Sequence, residues 1–329
     1  MQKPKVYLTR KVSDRGLNRI REVFDVEVWP EYAPPPRQVL LEKARDADAL
    51  VTMLADKIDK ELFAAAPKLK IVTQIAVGYD NIDLAEATKR GIYVTNTPDV
   101  LTETTADFAW ALLMAVARRV VEADRYVREG KWTVAWHPDM LMGRDIYGAT
   151  IGIVGAGRIG QAVAHRAKGF NMKILYNNRS RKPEMEKAFG AKRVELDELL
   201  RESDFVSLHV ALTKETTHLI SAEKLALMKS TAYLVNNSRG AVVDEKALLE
   251  TLKAGRIAGA ALDVFEQEPT PPTNPLLKLE NVVVAPHISS GSIETRAKMS
   301  EMAAENLKAF FKGQKPSNLV NTEVQKLGL

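Results

Sequence analysis

The chain has 329 residues, with 47 Lys and Arg against 42 Asp and Glu, 46% hydrophobic residues and no cysteine. This composition excludes disulfides, thiolate catalysis and Cys-ligated metals, and the lack of basic blocks argues against nucleic-acid binding. No apolar stretch reaches the roughly 18 residues of a membrane span and no signal peptide precedes the first strand-like run, so we expect a cytoplasmic protein with no membrane partner and no metal.

The N-terminal part of the chain alternates short strand-like runs with amphipathic helical segments. Such alternation predicts a parallel sheet covered by helices. The strand-like runs are KVYLTR (5–10), DVEVW (25–29), ALVTML (49–54), KIVTQIA (70–76) and YVTNT (93–97).

Residues 102–130 interrupt this alternation and are predicted to form one long helix that ends at Gly130. Its apolar face is wide, which fits either a core helix or a contact between domains or subunits. The loop after it, 131–149, is rich in Trp, Pro, Met and Gly. We expect the helix and the loop to support a homodimer.

From residue 150 the alternation of strands and helices begins again, and a last helix is predicted over 292–312. The predicted fold class is therefore α/β, with two doubly wound parallel-sheet domains, Rossmann-like or flavodoxin-like, and a cleft between them. The further strands are TIGIVG (150–155), KILYN (173–177), FVSLHV (205–210), AYLVNN (232–237), GAALDV (259–264) and NVVVAP (281–286).

A Gly-rich loop follows the first strand of the second half. Gly155, Gly157 and Gly160 have the G-x-G-x-x-G spacing between an apolar strand and an amphipathic helix. The first Gly permits a tight turn, the second lets a pyrophosphate approach, and the third lets helix and strand pack closely. The N–H groups of Arg158 and Ile159 at the helix N-terminus are expected to bind the phosphates. The alternative is a βα turn whose glycines serve only packing.

The strand after this loop ends without the acidic residue that NAD-binding sites use for the adenosine ribose. Asn178 stands near that position, and Arg179, Ser180 and Arg181 follow. An amide, a hydroxyl and two guanidinium groups suit a phosphate dianion. We therefore predict NADP(H) as the preferred cofactor, with NAD(H) possible. The alternative is that the arginines are solvated loop residues and selectivity is weak.

Three ionisable residues follow the C-terminal ends of later strands, where open α/β sheets bind ligands. They are Arg239, Glu268 and His287. This trio suits the reduction of a 2-oxo acid. A histidine beside a carboxylate can donate a proton to the carbonyl oxygen, and an arginine can bind the substrate carboxylate.

Other residues compete for these roles at the level of sequence. Glu266 lies two residues from Glu268, and His209 and His137 are alternative acids. His165 and His218 are predicted to be helix-surface or loop residues.

At this point the chain resembles the D-isomer-specific 2-hydroxyacid dehydrogenases over nearly its whole length. The motifs that carry the resemblance are GYDNID (78–83), GATIGIVGAGRIGQAVA, LVNNSRGAVVDEKAL, GAALDVFEQEP and NVVVAPHI. The resemblance implies that His287 is the acid–base residue, that Glu268 rather than Glu266 is its partner, and that Arg239 binds substrate.

The resemblance also implies that the chain forms two domains with different functions. Residues 1–99 plus 288–329 would form a discontinuous substrate-binding domain, and residues 100–287 an NAD(P)-binding Rossmann domain. The N–H groups of Val77 and Gly78 would bind the substrate carboxylate. Asp263 would face the nicotinamide carboxamide, and Thr105 would contact the cofactor. Turn geometry or helix capping is the alternative explanation for these residues.

Within the family, the chain is most similar to the glyoxylate/hydroxypyruvate reductases, through WHPDMLMGRDIYGATIGIVGAGRIG and the basic residues after the second strand of the nucleotide domain. This implies NADPH-dependent reduction of small 2-oxo acids. Trp136 would approach the substrate of a neighbouring subunit, unless it packs in a core. Leu54, with Met53, would form an apolar wall, and Ser290 is counted with the substrate-binding residues.

Two positions depart from the family pattern. Ala211 in HVALT replaces a frequent proline, and Ser289 replaces the usual glycine two residues after His287. Both changes concern backbone that the resemblance implies to lie near the nicotinamide. Two other functions remain open: a dehydrogenase for another acid, such as D-lactate or a bulkier one, with NADH, or a non-catalytic dinucleotide-sensing protein.

Overall fold

Two parallel β-sheets divide the chain into two α/β units. The structure is a computed structural model that describes residues 3–327. The first unit comprises the described residues up to Leu101 together with those from Ser290 onward, and the second comprises Thr102–Ser289. Because the second unit is inserted in the first, the chain crosses between them twice.

The first unit is built on a five-stranded parallel sheet with the order β2-β1-β3-β4-β5. The strands β3 and β4 are buried at every position, as expected for a parallel sheet covered on both faces. The strands are β1 (Lys5–Leu8), β2 (Asp25–Val28), β3 (Ala49–Thr52), β4 (Ile71–Gln74) and β5 (Tyr93–Thr95). The helices between them are α1 (Asp14–Val23), α2 (Arg37–Ala44), α3 (Lys60–Ala65) and α4 (Leu84–Lys89).

The second unit is built on a seven-stranded parallel sheet with the order β12-β11-β10-β9-β6-β7-β8. Its strands are β6 (Thr150–Val154), β7 (Lys173–Asn177), β8 (Lys192–Arg193), β9 (Phe205–Leu208), β10 (Tyr233–Asn236), β11 (Gly259–Leu262) and β12 (Val282–Val284). Its helices are α5 (Thr102–Ala117), α6 (Val120–Arg128), α7 (Arg158–Gly169), α8 (Pro183–Phe189), α9 (Leu196–Glu202), α10 (Ala222–Leu225) and α11 (Glu245–Lys253).

The strand order reverses at β6, because the chain goes from β6 to β7 on one side and later to β9 on the other. Open α/β sheets bind ligands outside the carboxyl ends of the strands at such a switch point. The Gly-rich loop follows β6 directly. Apolar cores pack against both faces of this sheet.

The last helix, α12 (Ile293–Phe311), belongs to the first unit and packs against α1. At their closest approach a Cβ added to Gly16 would lie 2.4 Å from Ser300. Arg15 and Arg19 both form ion pairs with Glu301. The C-terminal helix is therefore an integral part of the unit that begins at the other end of the chain.

The prediction of one long helix over 102–130 is wrong. The structure has two helices, α5 and α6, because Arg119 has a left-handed conformation with φ 53° that a continuous helix cannot contain. The carbonyl of Ala117 instead accepts a hydrogen bond from Arg144 at 2.8 Å. The Arg119 side chain forms an ion pair with Glu122 at the start of the second helix.

The predicted class of two parallel-sheet α/β domains is confirmed. Strand β8 was not predicted, since two residues are too short for a periodic pattern. Within residues 3–327, no helix is long and apolar enough to span a membrane. The cytoplasmic location stays a prediction.

Candidate active site

Three neighbouring strands place Arg239, Glu268 and His287 at one edge of the seven-stranded sheet. Strand β10 pairs with β11 and β11 with β12, and the three residues follow these strands in that order. The ladder continues past the strand ends, since Asp263 N–H donates to Asn236 O at 2.9 Å and His287 N–H to Asp263 O at 2.8 Å. The loops that carry the trio are therefore held in register by the sheet itself.

His287 and Glu268 form a direct pair. The distance from His287 Nδ1 to Glu268 Oε2 is 2.7 Å, and Glu268 Oε1 accepts a hydrogen bond from Phe265 N–H at 3.0 Å. Burial would raise the pKa of the Glu268 carboxyl, but hydrogen bonds from His287 and Phe265 and the charge of Arg239 lower it below its ordinary value. Because an ionised carboxylate can only accept, His287 Nδ1 carries the proton of this hydrogen bond. His287 Nε2 is then the ring nitrogen that can interact with another group.

Arg239 lies at the start of a short 3₁₀ turn, and its Nη1 donates to Ser238 O at 2.9 Å. Its charge contributes to the lowered pKa of the Glu268 carboxyl. The next residue, Gly240, allows the two loops to approach, since a Cβ added there would lie 1.9 Å from the carbonyl carbon of Phe265. Only glycine fits where these backbones cross.

The buried carboxylate of Asp263 anchors the turn that carries His287. Oδ1 accepts Ile288 N–H at 2.8 Å, and Oδ2 accepts both Ser289 N–H at 2.9 Å and the Ser289 hydroxyl. His287 itself has φ 55°. This conformation is unfavourable for a residue that has a Cβ atom, and the hydrogen bonds to Asp263 help to stabilise it. Sequence reasoning missed this role of Ser289, which it noted only as a departure from the family pattern. The contact of Asp263 with nicotinamide stays a prediction.

The Gly-rich loop fits a dinucleotide. Gly155 has φ 96°, and a Cβ there would lie 2.5 Å from His209 O. A Cβ at Gly160 would lie 2.1 Å from Gly155 O, so loop and helix are in close contact. A Cβ at Gly157, in contrast, would meet nothing within 4 Å. The loop is therefore packed tightly on the protein side and open where a pyrophosphate would lie.

Helix α7 presents its N-terminus to this open side. It begins at Arg158, and its N-cap residue Gly157 makes no side-chain capping bond. The N-terminus of a helix carries a positive dipole end and favours an anion, and the first N–H groups here are those of Arg158 and Ile159. These residues can hold the phosphates of the cofactor.

Asn178 connects the Gly-rich loop to the following basic turn, defined as Asn178–Arg181. Its Oδ1 accepts Ala156 N–H at 3.2 Å, and its Nδ2 donates to Ser180 O at 2.8 Å. An Asp side chain could accept the first bond but could not donate the second. The amide therefore fits this position better than the carboxylate that NAD sites carry.

The two arginines of the basic turn differ in their surroundings. Arg181 forms a two-pronged ion pair with Glu186, with Nε at 3.0 and 2.8 Å from the carboxylate oxygens. Arg179 is exposed, and its guanidinium makes no hydrogen bond or ion pair with another residue of 3–327. The pairing of Arg181 was not visible in the sequence, where Glu186 lies five positions away on the next helix.

In the first unit, the residues predicted to bind substrate follow two adjacent strands. Met53 and Leu54 follow β3 and are half-buried, and Val77 and Gly78 follow β4. The N–H groups of Val77 and Gly78 donate to no acceptor among residues 3–327. Ser290 is half-buried, and its carbonyl accepts Ser292 N–H at 3.0 Å.

Asn81 connects these two loops and was not predicted as a site residue, although it lies in GYDNID. Its Nδ2 donates to Met53 O at 3.1 Å and to Asp56 O at 2.7 Å. Its Oδ1 accepts Gln74 Nε2 at 2.7 Å, and Gln74 accepts in turn from Thr52 Oγ1 at 2.7 Å. One amide thus fixes the spacing of the loops after β3 and β4.

The competing histidines have other surroundings. Desolvation lowers the pKa of the His209 ring to about 3, so the ring is neutral at neutral pH and is a poor acid. The residue as a whole is half-buried. His218 pairs with Glu266 at 2.8 Å, and His165 stacks on Phe189. His137 accepts Asp139 N–H in the loop after α6.

The remaining predicted residues lie as follows. Thr105 is buried in α5, and its carbonyl accepts Asn237 Nδ2 at 3.1 Å. Trp136 is 76% exposed in the loop after α6. Within the described range 3–327, no group of three His, Asp or Glu side chains could hold a metal ion.

Comparison with known proteins shows the family of the chain. Residues 110–289 match the family model described as D-isomer specific 2-hydroxyacid dehydrogenase, NAD binding domain. A glyoxylate reductase of Korarchaeum cryptofilum is 65% identical over 325 residues, which cover 99% of this chain and 98% of that protein.

Two solved structures extend the comparison. A protein of Thermus thermophilus is 46% identical with a TM-score of 0.90, over 96% of this chain and 99% of that one. An NADPH-dependent glyoxylate/hydroxypyruvate reductase of Sinorhizobium meliloti, in complex with NADP and malonate, is 35% identical with a TM-score of 0.84, over 98% of each chain. The resemblance and the enzyme class are confirmed: the chain belongs to the D-isomer specific 2-hydroxyacid dehydrogenase family and is an NAD(P)-dependent oxidoreductase that acts on 2-hydroxy acids.

Proposed function

We propose that the protein is an NADPH-preferring reductase of small 2-oxo acids, namely glyoxylate and hydroxypyruvate. The observation that carries the proposal is the His287–Glu268 pair, with Nδ1 and Oε2 2.7 Å apart, beside Arg239 at the same sheet edge as the Gly-rich loop. The Korarchaeum cryptofilum relative is named a glyoxylate reductase, and the Sinorhizobium meliloti protein an NADPH-dependent glyoxylate/hydroxypyruvate reductase.

The three residues divide the chemistry between them. When bound, the reduced nicotinamide supplies a hydride to the carbonyl carbon. His287 donates the Nε2 proton to the carbonyl oxygen as this oxygen takes the electron pair of the C=O double bond. Glu268 holds the ring through Nδ1 and stabilises its charged form. Arg239 binds the substrate carboxylate and orients the carbonyl toward the acid.

The preference for NADPH rests on the basic turn. Asn178 removes the carboxylate that would repel a 2′-phosphate, and the exposed guanidinium of Arg179 can bind it. Arg181 contributes less in this proposal, because a phosphate competes with Glu186 for it. Hydrogen bonds from Arg181 and Tyr176 hold the pKa of the Glu186 carboxyl below its ordinary value, so the competing charge persists at neutral pH.

The first unit supplies substrate recognition in this proposal. The unpaired N–H groups of Val77 and Gly78 are donors suited to a carboxylate, and Leu54 is an apolar neighbour suited to a small side chain. These roles, and the roles of Thr105 and Asp263 toward the cofactor, are part of the proposal.

The same proposal includes a homodimer through α6 and the loop that follows it. Helix α6 buries none of its residues within its own chain, although its sequence is amphipathic. Large apolar side chains are exposed on this helix and on the loop that follows it, and exposed apolar surface of this kind suits a protein–protein contact. They include Val120, Val121, Val127, Trp132, Val134, Trp136, Met142 and Tyr147. Replacing Val127 with Glu should turn a dimer into a monomer in sedimentation equilibrium, whereas an unchanged mass would contradict this surface.

Turnover tests the proposed function. Purified protein should oxidise NADPH when glyoxylate or hydroxypyruvate is added, followed by the absorbance of the reduced nicotinamide. In His287→Ala the rate of NADPH oxidation should fall by about a hundredfold or more, while the variant still binds NADPH. Protein that binds NADPH but reduces neither acid would contradict the proposed substrates, and faster reduction of pyruvate or a bulkier 2-oxo acid would reassign them.

A further inference from the structure

Strand β8 places a third arginine at the basic turn. The strand has only two residues, and Arg193 pairs with Tyr176 of β7 at the outer edge of the sheet. Its Nε donates to Asn178 O at 3.1 Å and its Nη2 to Arg179 O at 3.4 Å. The guanidinium therefore lies directly against the backbone of the turn that would hold the 2′-phosphate.

Among residues 3–327, Arg193 has no direct carboxylate partner, although its charge contributes to the lowered pKa of the Glu186 carboxyl. No Asp or Glu of the described range lies within ion-pair distance of it, whereas Arg181 is held by Glu186 and Lys192 by Glu198 at 2.9 Å. Arg179 and Arg193 are thus two cations at the turn that no carboxylate of the described residues holds in a direct ion pair.

The backbone contacts of Arg193 add orientation to charge. They bind the carbonyls of the two residues that open the turn, and Asn178 ties the same turn to Ser180. The turn is held from both sides before any ligand is present. A preorganised site loses less conformational entropy when it binds a phosphate.

We infer that Arg193 is a specificity-determining residue of the dinucleotide site, which holds the basic turn and places a second guanidinium without a direct ion pair beside the 2′-phosphate of NADP(H). The inference rests on the proposed cofactor preference and names a residue outside the motif that suggested it. Because the effect is on the phosphate alone, NADH binding should depend on Arg193 much less than NADPH binding.

Dissociation constants of the full-length protein, measured by fluorescence or calorimetry, test the inference without turnover. Arg193→Met keeps an unbranched side chain of similar length and removes the charge. We expect about tenfold weaker binding of NADPH and of adenosine 2′,5′-bisphosphate, and less than about twofold change for NADH and adenosine 5′-monophosphate. Arg193→Lys, which keeps the charge but loses the fork, should lie between wild type and Arg193→Met.

Lys192→Met is the matched control, because it removes the same charge from the neighbouring residue of the same strand. It should change the affinity for NADPH less than about twofold, since Lys192 is paired with Glu198. Melting temperatures of all variants check that the fold is retained.

The outcomes separate the inference from the function on which it rests. Equal losses of NADPH and NADH affinity in Arg193→Met would overturn it, because Arg193 would then only brace the loop. A loss in Lys192→Met as large as that in Arg193→Met would overturn it as well. Wild-type protein that binds NADH as tightly as NADPH would instead contradict the cofactor preference itself.

Discussion

His287 Nδ1 lies 2.7 Å from Glu268 Oε2, and the two residues reach this distance from neighbouring strands through loops that the sheet ladder holds. The backbone of His287 has the unfavourable φ of 55°. The pKa of the Glu268 carboxyl is lowered by its hydrogen bonds and by neighbouring positive charge. The properties of the pair can be tested separately.

Removing the charge of Glu268 should slow catalysis without affecting cofactor binding. Glu268→Gln keeps an oxygen that can accept a hydrogen bond from His287 Nδ1–H, but it lacks the negative charge that stabilises a charged imidazole ring. We expect kcat to fall about tenfold to a hundredfold, less than in His287→Ala, with an unchanged dissociation constant for NADPH. The matched variant Glu266→Gln, two residues away and paired with His218, should keep kcat within about threefold. A larger effect in Glu266→Gln would reverse the assignment of the partner carboxylate.

The same pair should make stability depend on pH. The pKa of Glu268 in the folded protein is below its ordinary value of 4.5, so its ionised form stabilises the fold above that value, and this contribution is lost as pH falls through the lowered pKa. Glu268→Gln lacks the contribution. The difference in Tm between wild type and Glu268→Gln should therefore be present above pH 4.5 and shrink as the pH falls from 4.5 toward 3, with Glu184→Gln as an exposed control. Since the pair is partly exposed, the corresponding difference in the free energy of unfolding should be no more than about 1 kcal/mol. A difference in Tm that grows as the pH falls below 4.5 would contradict the lowered pKa.

Much of this site could be predicted from the sequence because it depends on local patterns. Apolar runs of strand length, a Gly-rich turn and polar residues directly after strands are sufficient to place the trio at one sheet edge. The long-range partners could not be found in this way. Asp263 anchors Ile288 and Ser289 from 25 and 26 positions away, and nothing near Asp263 in the sequence indicates that contact.

The fold shows the same limit at α5 and α6. The residues around Arg119 are compatible with a helix, so the pattern predicts no break, and the break is caused by the packing of the chain at Gly143 and Arg144 against Ala117. Strand β8 was also missed, although it carries Arg193, because its two residues give no period to recognise.

Arg239 should affect substrate binding and the chemical step together. Its guanidinium is predicted to hold the substrate carboxylate in the orientation that the hydride and the proton require. Arg239→Ala should therefore raise KM for glyoxylate and lower kcat, each by about tenfold or more. Arg239→Lys should recover only part of both, because an ammonium group cannot bind a carboxylate with two parallel hydrogen bonds. An unchanged KM in Arg239→Ala would contradict the assigned role.

Ser289 should act on catalysis through the turn that carries His287. Ser289→Ala removes the hydroxyl bond to Asp263 and leaves the N–H bond intact. Since the strained φ of His287 then has less support, we expect kcat to fall about threefold to tenfold with little change in KM or in NADPH affinity. The pH dependence of kcat should keep its shape, because no ionisable group is removed. An unchanged kcat would show that the backbone bonds alone fix the turn.

Asn81 should act on substrate binding from within the first unit. Asn81→Ala removes two hydrogen bonds to the loop after β3 and the 2.7 Å acceptor of Gln74 Nε2, so the loops that carry Leu54 and Val77 lose the side chain that connects them. We expect KM for glyoxylate to rise about tenfold and the free energy of unfolding to fall by about 1–3 kcal/mol, with NADPH affinity unchanged. Asn281→Ala is the control, because it loses a single side-chain hydrogen bond, to Ala258 O, near the start of β12. It should reduce stability and leave KM alone, so a rise in KM only in Asn81→Ala separates positioning of the substrate loops from a general loss of stability.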